Sequence, residues 1–574
     1  MNETLWREVL LLPFTQRLNL SGGVNNNNKP GQFKALEYYL ATMQPGLKRP
    51  SLTTTYVRFY WLGYGRWGNY QVIQAALIFY NILPTAFQLL IGVFIGYRPT
   101  FQCSSSSAYE NITLTTNSSY FVSYDKCHIK VLYNDTAKKT HTLVKKTTCF
   151  EGYQYSLEKD RSYVTEMDLV CDQAYLGELI QTLIMTGQLV GAAFASSLSD
   201  KLGRKTIHLT SHLLTLTFGI GVAFSPNYVT LAALKFVLGV LQQGMVMSNT
   251  VLGLELFPER TRFYSEAIGL FSWTTSLVIM APVAYLMRNY SWRYLQVVGT
   301  CFSLISLAQY WIQDESLRWL AANGKREAAD KVMHKVARWN KINYEELKKI
   351  VDKKMDSIKP DTHKVNETET TTNSAPVTNT VTYFGLTLTS TSLAGNRFLN
   401  FFLSSIVEYI AVICEFLMLR RLGRRTILII FHAVCGVSLA SATLLNYFSG
   451  GNSRMQMASV VTTFLGKSAI SGSFSTLYLF TPELYPTNLR NAGIGVSSAF
   501  SRFGAILSPF AGTLAEEIPW APGTIFSAMC FIVTFIILYI PETRGVELPH
   551  TLKDVKLWYS ENSGLRQRNK RKHH

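Results

Sequence analysis

The chain has 574 residues, of which 48% are hydrophobic and 16% charged, with a formal net charge of +18. Soluble proteins carry about 25% charged residues, so the composition argues against a soluble globular domain. The basic excess lies in short loops between apolar blocks rather than on one continuous face, which fits membrane topology and argues against nucleic-acid binding.

Residues 1–70 are mostly polar, include the run Asn25 to Asn28 and show no signal-peptide pattern; they read as a cytoplasmic N-terminal segment. Apolar blocks of about twenty residues, enough to span a bilayer core of about 30 Å, follow at 71–96, 174–196, 205–224, 228–251, 264–286 and 294–313. Five more lie at 398–419, 426–446, 457–479, 491–514 and 523–540. In hydrocarbon each of these eleven spans must be helical, because the backbone has no other way to satisfy its polar groups. The fold class is therefore an all-α membrane protein.

The polar segment 97–173 holds Cys103, Cys127, Cys149 and Cys171, with the sequons Asn111-Ile-Thr, Asn117-Ser-Ser and Asn134-Asp-Thr. Together they point to an oxidising, extracellular loop glycosylated at Asn111, Asn117 and Asn134, with two disulfides whose connectivity the sequence leaves open. The other four cysteines fall in apolar blocks.

Loop charges agree with that orientation. Lys201, Arg204 and Lys205, then Arg260 and Arg262, then Lys325 and Arg326, then Arg420, Arg421, Arg424 and Arg425, and the tail from Arg566 to Lys572 all belong on the cytoplasmic side. The sixth span and the 398–419 span then both end in the cytoplasm, so a further crossing is required. The only candidate is 376–397, short and polar, which makes twelve crossings with a degraded seventh. The organisation expected is an N-terminal bundle over 71–313, an intracellular helical loop and linker over 314–375, a C-terminal bundle over 376–540 and a basic cytoplasmic tail over 541–574. Two helices are expected in the intracellular loop, Glu327 to Trp339 and Tyr344 to Met355; Asn366-Glu-Thr there is expected to stay unglycosylated.

An internal repeat is the strongest signal. Ser199-Asp-Lys-Leu-Gly-Arg-Lys205 follows the second span, and Leu419-Arg-Arg-Leu-Gly-Arg-Arg425 follows the eighth crossing. Pro258-Glu-Arg-Thr-Arg262 recurs as Pro482-Glu-Leu-Tyr-Pro-Thr-Asn-Leu-Arg490, and Asp314-Glu-Ser-Leu-Arg-Trp-Leu320, which ends one half, is matched by Pro541-Glu-Thr-Arg-Gly545, which ends the other. Glycine permits the tight turn, and the basic residues can meet helix C-termini and carboxylates of the facing half. Two parallel six-helix repeats are the plan of major facilitator transporters.

With these motifs in order, the sequence resembles solute carrier family twenty-two, the organic cation, anion and zwitterion branch of that superfamily. The resemblance runs from about Leu62 to Tyr559 and includes Leu62-Gly-Tyr-Gly-Arg-Trp-Gly-Asn-Tyr-Gln71, Val164-Thr-Glu-Met-Asp-Leu-Val-Cys171 and Glu483-Leu-Tyr-Pro-Thr-Asn-Leu-Arg-Asn491. It implies a major facilitator fold of two six-helix bundles with a large extracellular loop between helices 1 and 2. Departures are Ser196 for a usual glycine, Arg420 for an acid, Lys235 for a usual arginine, the missing prolines around Glu315-Ser-Leu-Arg318 and the lost first half of the seventh helix.

Charges inside spans are costly and mark tasks or partners. Arg502 stands where the resemblance implies an anion-holding arginine, suited to a two-pronged bond with a carboxylate. Glu408 stands where cation and zwitterion carriers have an acid. The alternative for the two is a mutual structural ion pair. Gln242 is shared with zwitterion carriers, and Tyr383, Phe384, Phe271 and Trp273 are candidates for an aromatic cage around an ammonium. A gating set is expected at Asp200, Gly203, Arg204, Lys205, Lys235, Glu255, Arg262, Glu315, Arg318, Arg424, Arg425, Glu483, Arg490 and Glu542, with Glu415 of the same kind. His208, His212 and His432 read as packing residues.

These features imply transport of small organic ions by alternating access, with carnitine-like zwitterions or organic anions as substrates. The alternatives are an organic cation transporter and a non-transporting receptor or scaffold. No nucleotide-binding loop, nucleophile–base pair or metal-ligand spacing is legible, so neither an enzyme nor a cofactor is expected. The expected partners are the substrate, the lipid bilayer and a coupling ion with no legible site. The plasma membrane is the expected location.

Overall fold

The computed structural model describes residues 68–105, 120–135, 140–257, 262–345, 348, 374–484 and 490–544. The expected N-terminal segment up to residue 67, the sequons at Asn111, Asn117 and Asn366, and the tail beyond Arg544 lie outside them, as does most of the second intracellular helix.

Among the described residues, twelve helices form the body. The first half holds α1 (Asn69–Leu90), α2 (Ala174–Leu202), α3 (Arg204–Ala223), α4 (Tyr228–Leu256), α5 (Arg262–Leu286) and α6 (Trp292–Ala308). The second holds α7 (Ser374–Leu388), α8 (Arg397–Arg421), α9 (Arg424–Tyr447), α10 (Ser453–Leu484), α11 (Arg490–Leu507) and α12 (Ala521–Ile537). Of the eleven spans expected on apolarity, seven appear as helices that meet both length and apolarity, namely those begun by α1 to α5, α8 and α9. The others fall short for local reasons. Helices α6 and α12 have 17 residues each; α10 is long but rich in Ser and Thr and contains Lys467; α11 carries Arg502 and ends before Pro509, after which Phe510–Glu517 resumes. The seventh crossing, expected to be short, is described over 15 residues followed by a turn at Thr389–Ser392.

Packing follows the repeat. In the first half α4 lies against α2, α3 and α1; in the second α9 lies against α10 and α12. At the α2–α4 crossing a Cβ on Gly187 would strike the Phe236 carbonyl, and one on Gly239 the Ile184 carbonyl. Glycine is required there because lipid offers no hydrophobic drive and close backbone approach must supply the contact. The halves meet along two seams, α5 on α8 and α2 on α11.

The loop at 97–173 adds sheet to the otherwise helical chain. Strand β1 (Phe101–Cys103) pairs antiparallel with β5 (Tyr153–Tyr155), and β2 (Tyr120–Tyr124), β3 (His128–Asp135) and β4 (Thr140–Thr148) form an antiparallel meander with an irregularity between Val131 and Leu132. The four loop cysteines pair as Cys103–Cys149 and Cys127–Cys171. Asn134 lies on β3 opposite His141. Glu166 fastens the loop to α6 by accepting from Trp292 Nε1 at 2.5 Å and pairing with Arg293 at 2.6 Å. On the opposite, inner end, which loop charge predicts to be cytoplasmic, helices Leu317–Ala322 and Arg326–Asn340 form a small layer with Tyr70, Trp319, Val332 and Val336 as its core.

Candidate functional site

Glu408, on the inner face of α8, is completely buried. A bare carboxylate in a membrane interior is costly, and three elements answer it. Lys467 Nζ on α10 lies 3.1 Å from Glu408 Oε1, with its own side chain 1% exposed. The Tyr383 hydroxyl on α7 donates to the carboxylate, 3.2 Å from either oxygen, and accepts from Trp273 Nε1 of α5 at 2.7 Å. A second polar contact crosses the same seam, between Thr275 Oγ1 and the Tyr409 hydroxyl at 2.7 Å.

Arg502 belongs to a different network. Its Nη1 donates to Gln188 Oε1 of α2 at 2.8 Å. Gln188 Nε2 donates to Gln242 Oε1 at 2.9 Å, and Gln242 Nε2 donates to the Thr85 carbonyl of α1 at 2.6 Å. One chain of amides thus carries the guanidinium on α11 into the first half. Among the described residues no carboxylate stands within ion-pair distance of Arg502. The mutual Glu408–Arg502 pair that the sequence allows is not made; Lys467 is nearer and already satisfies the acid. Between the two charges runs a ladder of rings, Tyr383 to Phe474 at 5.6 Å and Phe474 to Tyr478 at 5.4 Å.

The four aromatic candidates divide. Trp273 and Tyr383 join Glu408, Phe384 packs edge-on against Tyr383 at 5.4 Å, and Phe271 sits apart with Phe79 and Tyr409.

The gating candidates form two matching clusters at the inner end. In the first half, Glu315 accepts from the backbone N–H groups of Arg204 at 3.0 Å and Lys205 at 3.1 Å, capping the N-terminus of α3 where the helix dipole favours an anion. Burial pushes the Glu315 carboxyl up, and these N–H bonds oppose the push. Gly203 has φ +104°, and a Cβ there would strike Glu315. Arg204 reaches Asp200 at 2.8 Å and Glu255 at 3.7 Å, and Lys205 Nζ donates to the Tyr310 carbonyl. In the second half Glu542 takes the place of Glu315, accepting from Arg425 N at 3.5 Å, and Arg424 pairs with Glu483 at 3.5 Å. Arg425 also donates to the Ile537 carbonyl.

One gating expectation changes: among the described residues the basic residues meet carboxylates of their own half, not of the facing half. Lys235 lies on the second turn of α4, buried, with its Nζ donating to Gln296 Oε1 at 3.1 Å. Glu415, two turns before the end of α8, is buried and accepts from Thr476 at 2.9 Å. Arg318 is exposed, and the side chains of Arg262 and Arg490 lie outside the described residues.

Beyond the two seams, further contacts between the halves lie at the outer end. Arg98 pairs with Glu516 of the second half at 2.5 Å and with Glu178 of α2 at 3.8 Å. Arg397 stacks over Tyr97 at 4.0 Å, and Phe94 packs on Phe398 at 5.5 Å and Phe401 at 5.0 Å. Among the described residues, Arg98–Glu516 is the ion pair that joins the two halves. Sequence reading missed Arg98, Glu178, Glu516, Gln188 and Lys467. The last was legible as a lone charge inside a span.

Comparison with known proteins gives the family and the fold. The profile of the family described as sugar (and other) transporter matches residues 119–553. An organic cation transporter-like protein of Drosophila melanogaster is 30% identical over 525 residues, covering 85% of this chain and 90% of that protein. Organic anion transporter 3 of Mus musculus is 29% identical over 523 residues, covering 88% and 95%. The solved xylose transporter XylE from E. coli, in a partially occluded inward-open conformation, superposes with a TM-score of 0.55 over 83% of this chain and all of its own, at 13% identity, which carries the fold alone. The protein is a multi-pass membrane transporter, not an enzyme. The chain belongs to the sugar (and other) transporter family of the major facilitator superfamily, within the organic-ion carriers of solute carrier family twenty-two.

Proposed function

We propose that this chain carries small organic anions across the plasma membrane by alternating access, with Arg502 holding the substrate's carboxylate. The observation that carries the reading is the partner of Arg502, a neutral glutamine at 2.8 Å. A guanidinium has five donors in a planar fork, and one bond to an amide leaves it short of charge compensation in a setting where charge is costly. A carboxylate that binds the fork with two parallel bonds supplies both. The relatives named for organic anion and organic cation transport support the substrate class.

Arg502 bonds across the α2–α11 seam, so substrate that takes the guanidinium competes with Gln188 for it. Binding then loosens a contact between the halves, which is what a rocking carrier requires of its substrate. Closure at the outer end rests on Arg98–Glu516 and the Phe94 cluster. Each inner cluster braces its own bundle, so the halves move as units. A coupling ion is part of the proposal and is tested by ion replacement in the uptake medium.

The carnitine-like zwitterion reading and the cation reading both need the charge of Glu408, which is sealed and held by Lys467. Uptake in cells expressing the chain, with surface biotinylation as control, tests the proposal. A labelled aromatic monocarboxylate is expected to enter, and a betaine and tetraethylammonium are not. Entry of either of the latter alone overturns the anion reading. Surface expression with entry of none favours a receptor or scaffold.

A further inference from the structure

The repeat offers an internal control on the Glu408–Lys467 pair. Gln188 stands fifteen residues before Gly203 (203 − 188), and Glu408 stands fifteen before Gly423 (423 − 408), so the two occupy matching places on α2 and α8. Their partners fall within one residue of the same place: Gln242 on α4 stands sixteen residues before Pro258 (258 − 242), and Lys467 on α10 fifteen before Pro482 (482 − 467). One half fills the slot with a neutral pair at 2.9 Å, the other with an ion pair at 3.1 Å. Each slot is also touched from across the seam. Arg502 of α11 reaches Gln188, and Trp273 of α5 reaches Glu408 through the Tyr383 hydroxyl. The two slots therefore do the same mechanical job, linking two helices of one half and receiving one from the other, and differ in charge.

An ion pair sealed from solvent is no stability gain over a neutral pair of good shape. What Lys467 adds is cancellation. The charge at the seams sums to +1 from Arg502, Lys467 and Glu408, and without Lys467 it sums to zero, with one cation and one anion facing a ring ladder. We propose that Lys467 is the charge-selectivity residue of this transporter: it silences Glu408, which would otherwise accept the cationic end of a substrate. This rests on the anion reading above and names what enforces it. Lys467 acts through Glu408 and is a positioning residue rather than a substrate contact.

Two variants test it, Lys467→Gln and the double Lys467→Gln/Glu408→Gln, each corrected for surface density. Uptake is measured for a labelled aromatic monocarboxylate, a trimethylammonium betaine and tetraethylammonium. Lys467→Gln is expected to raise the betaine-to-monocarboxylate uptake ratio by about tenfold or more, the scale of one charge contact. The double variant, again neutral and shaped like the Gln188–Gln242 slot, is expected to keep the wild-type ratio within about threefold. It also decides the matter if the single variant fails to reach the surface. An unchanged ratio in surface-expressed Lys467→Gln overturns the proposal while leaving the anion reading intact. Loss of monocarboxylate uptake by about tenfold or more in the double variant also overturns it, because Lys467 would then hold the anion itself. Wild-type preference for betaine or tetraethylammonium, or wild-type transport of none of the three, overturns the anion reading and the role of Lys467 together.

Discussion

The Lys467 ammonium sits 3.1 Å from the Glu408 carboxylate, both sealed inside the second half. The two charges that the sequence places in one site, Glu408 and Arg502, thus belong to separate networks on separate seams. One ties α5 to α8 through Trp273, Tyr383 and the Thr275–Tyr409 bond; the other ties α11 to α2 through Gln188. A carrier that rocks must remake contacts on both seams, but only the second carries a charge without an acidic partner among the described residues.

The outer closure is predicted to depend on Arg98. Glu516→Gln removes the ion pair that joins the halves there, and a partly exposed pair of this kind is worth about 1 kcal/mol. A fivefold or so rise in the open fraction follows. Labelling of a cysteine introduced at Thr389, beside Arg98 in the outer vestibule, by a membrane-impermeant thiol reagent should rise by about that factor. Unchanged labelling would mean that the Phe94 cluster alone closes the outer end.

The two loop glycines should tolerate alanine unequally. At Gly203 the side chain meets Glu315 and the backbone is left-handed, at φ +104°. At Gly423 the backbone is extended, at φ −78°, and the clash is with Glu542 alone. Strain of about 1–3 kcal/mol applies only to the first. Gly203→Ala should lower Tm in detergent by more than Gly423→Ala. Equal losses would show that the carboxylate clash, not the backbone, governs both.

Non-reducing peptide mapping of the outer loop should find Cys103 linked to Cys149 and Cys127 linked to Cys171. Either of the other two connectivities would require a different sheet register, because Cys103 on β1 and Cys149 just after β4 are brought together by the β1–β5 and β3–β4 pairings.

The crossings and the repeat were legible because length, apolarity and loop charge are local properties of the chain. Glu408, Tyr383, Trp273, Gln242 and Arg502 could be picked out as polar or aromatic residues in spans, but their grouping could not. Pairing is set by helix rotation and crossing angle, which no single helix encodes. Lys467 was overlooked although it breaks an otherwise uncharged stretch of α10. Gln188 carries no charge and is identified only by its repeat position relative to Glu408. The sequence lets the basic loops meet carboxylates of the facing half, but a tight loop ending in a helix N-terminus captures the nearest acid of its own bundle first, Glu315 in one half and Glu542 in the other. The sheet of this loop is not legible from alternation because β4 is mostly polar on both faces, with lysine, threonine and histidine among its residues, and the alternation of β3 breaks at the irregularity between Val131 and Leu132.

The most direct test of the central claim is the charge at residue 502. Monocarboxylate uptake should fall by about a hundredfold in surface-expressed Arg502→Gln, as expected for loss of a charge-assisted bond of about 3 kcal/mol. It should recover in part with Arg502→Lys, which restores charge without the fork, and fall furthest with Arg502→Asp. Monocarboxylate uptake that survives Arg502→Asp at normal surface density would contradict the account, and would place the anion site elsewhere in the carrier.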